Sequence, residues 1–120
     1  MPRHLRDSTI AIALLLSAAC TATTGVTMLS PMPEAVPAES IRVFLPSALP
    51  DSFVVIAVLD YANPAKYQVL TLEDVLPDVK REALKVHANG LIVDRVKQVP
   101  SWPVGSIGIT VRARAIRVYP

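Results

Sequence analysis

The chain has 120 residues, of which 52% are apolar and 18% are charged. This composition predicts one folded domain and excludes a disordered protein. The net charge of +2 is too small to indicate a nucleic-acid partner, and the lysines and arginines form no cluster. The single cysteine, Cys20, excludes an internal disulfide and a cysteine metal cluster.

The first twenty residues have the parts of a bacterial export signal. Arg3 and Arg6 supply its positive end, and the uncharged run from Ile10 to Ala19 has the length of its apolar region. The sequence Ser17-Ala18-Ala19-Cys20 then resembles the lipobox of bacterial lipoproteins, with serine where leucine is usual. The resemblance implies that residues 1–19 are a signal peptide and that the Cys20 thiol carries the lipid.

Two other interpretations of this segment stay open. The uncharged stretch from Ile10 to Leu29 is long enough to cross a bilayer of roughly 30 Å as an uncleaved helix, although its second half, TATTGVTML, is only weakly apolar. Alternatively, a plain signal peptide is followed by an incidental Cys20. In the lipoprotein interpretation, the residue after Cys20 is Thr21 and not an aspartate, which would keep the protein from reaching the outer membrane. This implies sorting to the outer membrane of a Gram-negative cell, facing the periplasm.

Residues 20–39 are predicted to be the lipidated cysteine and a Pro-rich tether. Prolines at positions 31, 33 and 37 favour extended backbone, and the segment has neither helical nor alternating apolar periodicity. We therefore expect a semi-extended spacer that holds the domain away from the membrane, at about 3 Å per residue.

The globular domain is predicted over residues 40–120. Four stretches are rich in β-branched residues or alternate between apolar and polar positions, which predicts strands. They are residues 41–45, Phe53–Tyr61, Leu91–Val99 and Ile107–Tyr119. Between the second and the third, an apolar pattern with helical spacing predicts one helix.

The limits of this helix depend on Pro77. A start near Asp74 places Pro77 in the first turn, where a missing N–H costs little. Asn89-Gly90 predicts the left-handed stop. The helix face toward the sheet is predicted to carry Leu76, Val79, Ala83 and Val86.

The order β-β-α-β-β predicts a small α+β domain, with an antiparallel or mixed sheet and one helix packed on one face. The run REALKVHANGLIVDRV, a loop and ITVRARAIRV resemble small bacterial envelope proteins in which a helix ends in an Ala-Asn turn. The stress-sensing outer-membrane lipoproteins of the Rcs system, several uncharacterised lipoproteins and the cytoplasmic heavy-metal-binding-like family share this pattern. The resemblance covers residues 74–118 and implies the fold and an envelope location. These relatives often have Gly-Ala-Asn where this chain has His87-Ala88-Asn89.

The sequence does not predict an enzyme. His87, the one histidine after Cys20, has no partner at metal-ligand spacing, and its position suits the negative end of a helix. Glu73 and Asp74 are adjacent, so they point to different sides of the helix and are interpreted as helix-start charges. No Gly-rich phosphate loop or nucleophile motif occurs. We expect no catalytic residue, no metal site and no cofactor.

The second predicted strand is apolar on both of its faces. One helix covers only one side of a small sheet, so the other side is predicted to carry an apolar strip flanked by arginines, and such strips usually mark interfaces. The predicted interaction face consists of Val54, Ile56, Val58, Trp102, Arg112 and Arg114. Three explanations stay open: the tether or the KYQVL loop covers the strip, a second copy packs on it, or another envelope protein or a lipid binds it.

Together these features predict a lipid-anchored cell-envelope protein that acts through protein–protein contact, in an accessory, structural or stress-sensing role. Its lipid attaches it to the membrane, and its partner is another protein or a second copy, not nucleic acid. A small-ligand or metal-binding module on the same fold is the alternative, by analogy with the cytoplasmic relatives.

Overall fold

The computed structural model describes residues 22–35 and 41–119. The elements in chain order are β1 Thr23–Met28, β2 Arg42–Phe44, β3 Phe53–Asn63, α1 Leu72–Lys85, β4 Gly90–Ser101 and β5 Ser106–Val118. Within these residues the five strands form one sheet, and α1 packs on one face of it. The predicted α+β class is therefore confirmed. The predicted signal peptide and Cys20 lie outside the described residues.

The sheet is mixed, with the strand order β1-β3-β5-β4-β2. The pairs β1–β3, β3–β5 and β5–β4 are antiparallel, and β2 runs parallel to β4 at the edge. These directions place the start of β1, the end of β3 and the turn between β4 and β5 at the same end of the sheet. We call this end, marked by Thr23, Asn63, Ser101 and Ser106, the hairpin end.

β1 lies within the segment predicted as a tether, so that prediction was wrong for residues 22–35. Thr23–Met28 pairs with β3 over six positions, from Ala62 to Ala57. The N–H groups of Leu29 and Ser30 then donate to the Ile56 carbonyl at 2.7 and 3.1 Å. An edge strand exposed on both faces needs no apolar alternation, and its threonines have high β propensity.

The main core lies between α1 and the sheet. Alternate residues of the central strands point toward the helix, because successive side chains of a strand point to opposite faces. The sheet contributes Leu59, Tyr61, Leu91, Val93, Ile109, Val111, Ala113 and Ala115, and the helix contributes Val75, Val79 and Ala83. Leu76, predicted to line the buried face, is only partly buried, and Val75 takes the innermost position.

The helix begins earlier than predicted, at Leu72, because Thr71 and Asp74 form a capping pair. The Asp74 carboxylate accepts hydrogen bonds from the Thr71 N–H at 2.8 Å and from the Thr71 hydroxyl at 2.9 Å. Pro77 consequently lies inside the helix, where it lacks the N–H that would bond to the Glu73 carbonyl. Pro77 and Glu73 are both exposed, so water can satisfy this carbonyl.

The left-handed stop of the helix is His87, not the predicted Asn89-Gly90. His87 has a φ of +63°, and the N–H of Ala88 reaches back to the Ala83 carbonyl at 3.1 Å, a Schellman arrangement. Asn89 instead ties the end of β5: its side chain accepts from the Val118 N–H at 2.7 Å and donates to the Val118 carbonyl at 3.1 Å. Glycine takes a left-handed conformation without steric cost, which gives a physical reason for glycine at this position in Gly-Ala-Asn sequences.

Two irregularities shift the register of the sheet. One lies between Val55 and Ala57 of β3, and the other between Val93 and Arg95 of β4. A bulge sets two residues of one strand against one residue of its partner, so the strict alternation of faces is interrupted. Ile56 and Asp94 are the extra residues. Ile56 lies in the core, although alternation counted from Val58 would place it on the face away from α1.

The face away from α1 is buried at the end opposite the hairpin end. Ile92 and Ile116 are fully buried, yet neither belongs to the core cluster under the helix. A Cβ at Gly90 would meet the Ile116 side chain at 2.8 Å and the Phe44 ring at 3.2 Å. β2 therefore brings an aromatic side chain over this part of the sheet, and glycine leaves room for it.

Candidate functional site

The predicted interaction face does not exist as one surface. Ile56 is only 1% exposed and belongs to the core, because the bulge turns it toward the helix. Val54 is 45% exposed and pairs with Arg117, so it lies on the helix side of the sheet. Val58 is half-buried on the other side. The sequence could not reveal this division, since a bulge depends on how the partner strand is aligned.

Val58, Arg112 and Arg114 do share the face away from α1, as predicted. We call the part of that face formed by Val58, Asp60, Asp94, Arg112 and Arg114 the open face. The register sets Val58 opposite Arg114 and Asp60 opposite Arg112. A depression of about 320 Å³ on this face is bordered by Thr27 of β1 and by Val58, Asp94, Arg112 and Arg114.

Both arginines of the open face are paired within the chain. Arg112 donates to Asp60 at 2.9 and 3.5 Å, and Arg114 makes two hydrogen bonds of 2.8 Å to Asp94. These hydrogen bonds raise the pKa of Arg112 and of Arg114 above the ordinary value. The two ion pairs of the open face balance each other in charge. The exposed Arg95 lies opposite Arg112 on the same side of the sheet and adds a further positive charge there.

The two carboxylates of these pairs were missed by sequence reasoning. Asp60 carried a usable signal, because it is the one charged residue of β3 and pairs directly across from an arginine strand. Alternation from the buried Leu91 and Val93 places Asp94 on the same face as the arginines, but it does not show which arginine Asp94 pairs with. Its extra position in the bulge aims it at Arg114.

A second surface consists of exposed apolar side chains at the hairpin end. Trp102 is 79% exposed and Val104 is 86% exposed in the turn between β4 and β5. Tyr67 is 76% exposed, and Val69 is more than half exposed, in the loop that leads from β3 to α1. We call Tyr67, Val69, Trp102 and Val104 the apolar tip. Of these four, the sequence singled out only Trp102.

The backbone beneath the apolar tip is firmly hydrogen-bonded. The Tyr67 N–H donates to the Ser106 hydroxyl oxygen at 2.9 Å, and the Ile107 N–H donates to the Gln68 carbonyl at 2.8 Å. Val69 and Ile107 form a parallel β-bridge. The exposed side chains are therefore presented by an ordered backbone shared between the loop and the hairpin.

A polar cluster links β3 to the helix. The Tyr61 hydroxyl donates to Asp78 at 2.9 Å and accepts from the Asn63 amide at 3.1 Å. Burial raises the pKa of Tyr61 above its ordinary value of 10.0, and the hydrogen bond to Asp78 raises it further, while the bond from Asn63 lowers it. A phenol held protonated between an amide and a carboxylate acts as a structural tie, because it provides neither a nucleophile nor a base at neutral pH.

The His87 ring makes a contact with the backbone of the segment that follows β1. Its Nδ1 lies 2.7 Å from the Pro33 carbonyl, and Arg117 donates to the carbonyls of Glu34 and His87 at 2.7 and 3.0 Å. These bonds fasten residues 33 and 34 to the end of α1. Across residues 22–35 and 41–119, no group of three or more His, Cys, Asp or Glu side chains is arranged to hold a metal ion.

Comparison of the chain with protein-family models, with curated proteins and with solved structures found no match. In the part of the chain that the structure describes, no helix has the length and apolar character needed to span a bilayer.

Proposed function

We propose that this protein is a lipid-anchored protein of the bacterial cell envelope, acylated at Cys20, whose domain acts by contact with another protein. The observation that carries the proposal is the spacing between the signal-like segment and the fold. The lipobox-like sequence ends at Cys20, and β1 begins at Thr23. Cleavage before Cys20 would leave intact the strands and the helix found in residues 22–35 and 41–119.

The same spacing argues against an uncleaved membrane helix. Such a helix would have to run from Ile10 to about Leu29, but Thr23–Met28 is paired with β3. The uncharged residues from Ser8 to Ala22 would extend only about 22 Å as a helix, at about 1.5 Å per residue. That length falls short of a hydrocarbon core of roughly 30 Å.

The open face supports a contact function better than a catalytic one. It combines arginines, a half-buried valine and a depression, and arginine is enriched in protein interfaces. Its two ion pairs offer both signs of charge in a fixed pattern, which favours a partner with a complementary pattern. The outer membrane, with the domain facing the periplasm, follows from Thr21 in the lipoprotein interpretation.

The anchor is tested by growing cells with an alkyne-tagged fatty acid and isolating the full-length product. The wild-type protein is expected to carry the tag and to remain with the membrane fraction. Cys20→Ser should lose both properties, whereas Ser17→Leu, which restores the usual lipobox residue, should keep them. Tag-free wild-type protein would contradict the proposal.

The contact is tested with a photo-reactive residue introduced into the acylated protein in cells. Placed at Thr27, which borders the open face, it is expected to give one cross-linked product of defined mass. The same residue at Arg81, on the exposed side of α1, serves as the matched control and should give no such product. Equal products from both positions, or none from Thr27, would contradict a partner on the open face.

A further inference from the structure

We propose that the apolar tip contacts the surface of the bilayer to which Cys20 is attached. This inference rests on the proposed acylation of Cys20 and adds the orientation of the domain. The occupant of the tip would be phospholipid, in the zone between the headgroups and the acyl chains.

The chain that precedes β1 enters the fold at the same end as the apolar tip. β1 runs away from the hairpin end, so the residues before Thr23 join the fold at that end. Cys20 precedes Thr23 by three residues, and a fully extended chain spans at most about 3.6 Å per residue. Three residues of any conformation can therefore separate the Cα atoms of Cys20 and Thr23 by at most about 11 Å.

The hairpin formed by β4 and β5 extends beyond Thr23. Thr23 pairs with Ala62, and Ala62 pairs with Thr110, so Thr23 and Thr110 stand at the same level of the sheet. Paired strands continue from Thr110 to Ser106, which pairs with Ser101. These four residues add about 14 Å at about 3.4 Å per residue. The tip thus extends at least as far as the anchor reaches, and an anchor this short brings the tip to the lipid.

The side chains of the apolar tip are of the kinds that suit a membrane surface. Trp and Tyr are enriched where membrane meets water, because their rings combine apolar area with one polar group. Residues 64–70 and 99–106 carry a single charge, Lys66, whose ammonium lies 5.8 Å from the centre of the Tyr67 ring. A long lysine beside an apolar surface can place its charge among the headgroups.

The surface between the anchor and the tip is also apolar. A cleft of about 370 Å³ lies at the hairpin end, and Thr23 forms one of its walls. The other walls include Ala62, Pro64, Val99 and Pro100. An apolar cleft beside exposed aromatic side chains is typical of an interaction site.

The test uses Trp102, the only tryptophan of the chain, as its own probe. Full-length acylated protein is purified from membranes and reconstituted into vesicles of phosphatidylethanolamine and phosphatidylglycerol. In one series the phospholipids carry bromine on their acyl chains. We expect the Trp102 emission to move to shorter wavelength and to be quenched by the brominated lipids, most strongly when the bromine lies near the headgroup.

The matched control moves the probe to the opposite end of the sheet. The double variant Trp102→Phe with Tyr119→Trp places the single tryptophan just after β5, where the side chain is exposed. Its emission is expected to remain at long wavelength and to be unaffected by brominated lipid.

The acyl content of each preparation is determined by mass, which separates the two proposals. Acylated, vesicle-bound protein in which Trp102 stays unquenched by brominated lipid and open to aqueous iodide would overturn this inference and leave the anchor standing. Protein without acyl chains would overturn both.

Discussion

At Ile56 a bulge changes which face of the sheet the side chains of β3 point to. Simple alternation places Ile56 with Val54 and Val58 on an uncovered strip, whereas the bulge at this position turns it into the core beneath α1. The Ile56 carbonyl also accepts the N–H groups of Leu29 and Ser30. One inserted residue thus fills the core and holds the end of β1.

The first prediction concerns a charge at this position. Ile56→Asp is expected to unfold the domain, because burial of an unpaired carboxylate costs several kcal/mol, about 3 or more. Val54→Asp, two residues away and nearly half exposed, is the control and should unfold at nearly the wild-type urea concentration. A folded Ile56→Asp protein in urea titration would show that Ile56 lies on the surface.

Asp74 supplies the second prediction, which concerns pH. Hydrogen bonds from the Thr71 backbone and then from the Thr71 hydroxyl lower the pKa of Asp74 from its ordinary 3.8. The pKa of Asp74 is lower in the folded protein than in the unfolded chain, so the ionised carboxylate stabilises the fold. This stabilisation is complete above the unfolded pKa and is lost as the pH falls through the folded pKa. Asp74→Asn should therefore be less stable than wild type at neutral pH, and the difference should shrink below about pH 4.

The measurement is thermal unfolding of both proteins across the acid range, with Glu73→Gln as the control for loss of a neighbouring carboxylate. Glu73→Gln is expected to keep the wild-type acid dependence. If the difference between wild type and Asp74→Asn stays constant through the acid range, the capping pair does not stabilise the helix start.

At the level of elements, the two ion pairs of the open face differ in strength. The Asp94–Arg114 pair is bidentate, and both side chains are about one-quarter exposed, whereas both members of the Asp60–Arg112 pair are at least half exposed. Exposed pairs contribute about 0–1 kcal/mol, and bidentate arginine–carboxylate pairs are stronger.

The third prediction is that Asp94→Ala lowers the free energy of unfolding by about 1 kcal/mol, while Asp60→Ala lowers it by less than about 0.5 kcal/mol. Urea unfolding of the two variants makes the comparison directly. An equal loss for both would mean that the bulge at Asp94 gives its ion pair no advantage.

The fourth prediction concerns the segment that follows β1. Arg117→Ala removes the hydrogen bonds to the carbonyls of Glu34 and His87, so a protease specific for glutamate should cut the chain after Glu34 faster, while β3 and β5 stay intact. Arg112→Ala removes an equal charge from the same strand and should leave the rate of cleavage after Glu34 unchanged. Unaltered cleavage in Arg117→Ala would mean that this arginine does not fasten the segment.

The sequence predicted β3, β4, β5 and the helix because each has a long apolar pattern that the core requires. It could not predict β1, because TTGVTM is an edge strand whose side chains are nearly all exposed, so no pattern of burial marks it. It placed Arg112 and Arg114 on the uncovered side but missed Asp60 and Asp94. The exposure of Tyr67 and Val104 could not be inferred from the sequence, because single apolar residues in loops belong to no periodic pattern.

At the scale of the whole molecule, β1 is formed by residues that were predicted to belong to a long spacer. The connection between Cys20 and the sheet is therefore short. Cleavage before Cys20 would leave only Thr21 and Ala22 between Cys20 and the sheet. In the proposed orientation, the hairpin end faces the bilayer and the opposite end, with the buried Ile92 and Ile116, faces away from it. The open face then stands beside the membrane, accessible to a partner in the same leaflet or next to it.

The most direct test of this account is the mass of the mature amino terminus, measured on protein from the membrane fraction for the wild type and for Cys20→Ala. We expect the wild-type chain to begin at Cys20 and to carry acyl chains, and Cys20→Ala to lack both the cleavage and the lipid. A wild-type chain that keeps residues 1–19, with the same terminus in Cys20→Ala, would contradict the proposed anchor and the orientation that depends on it.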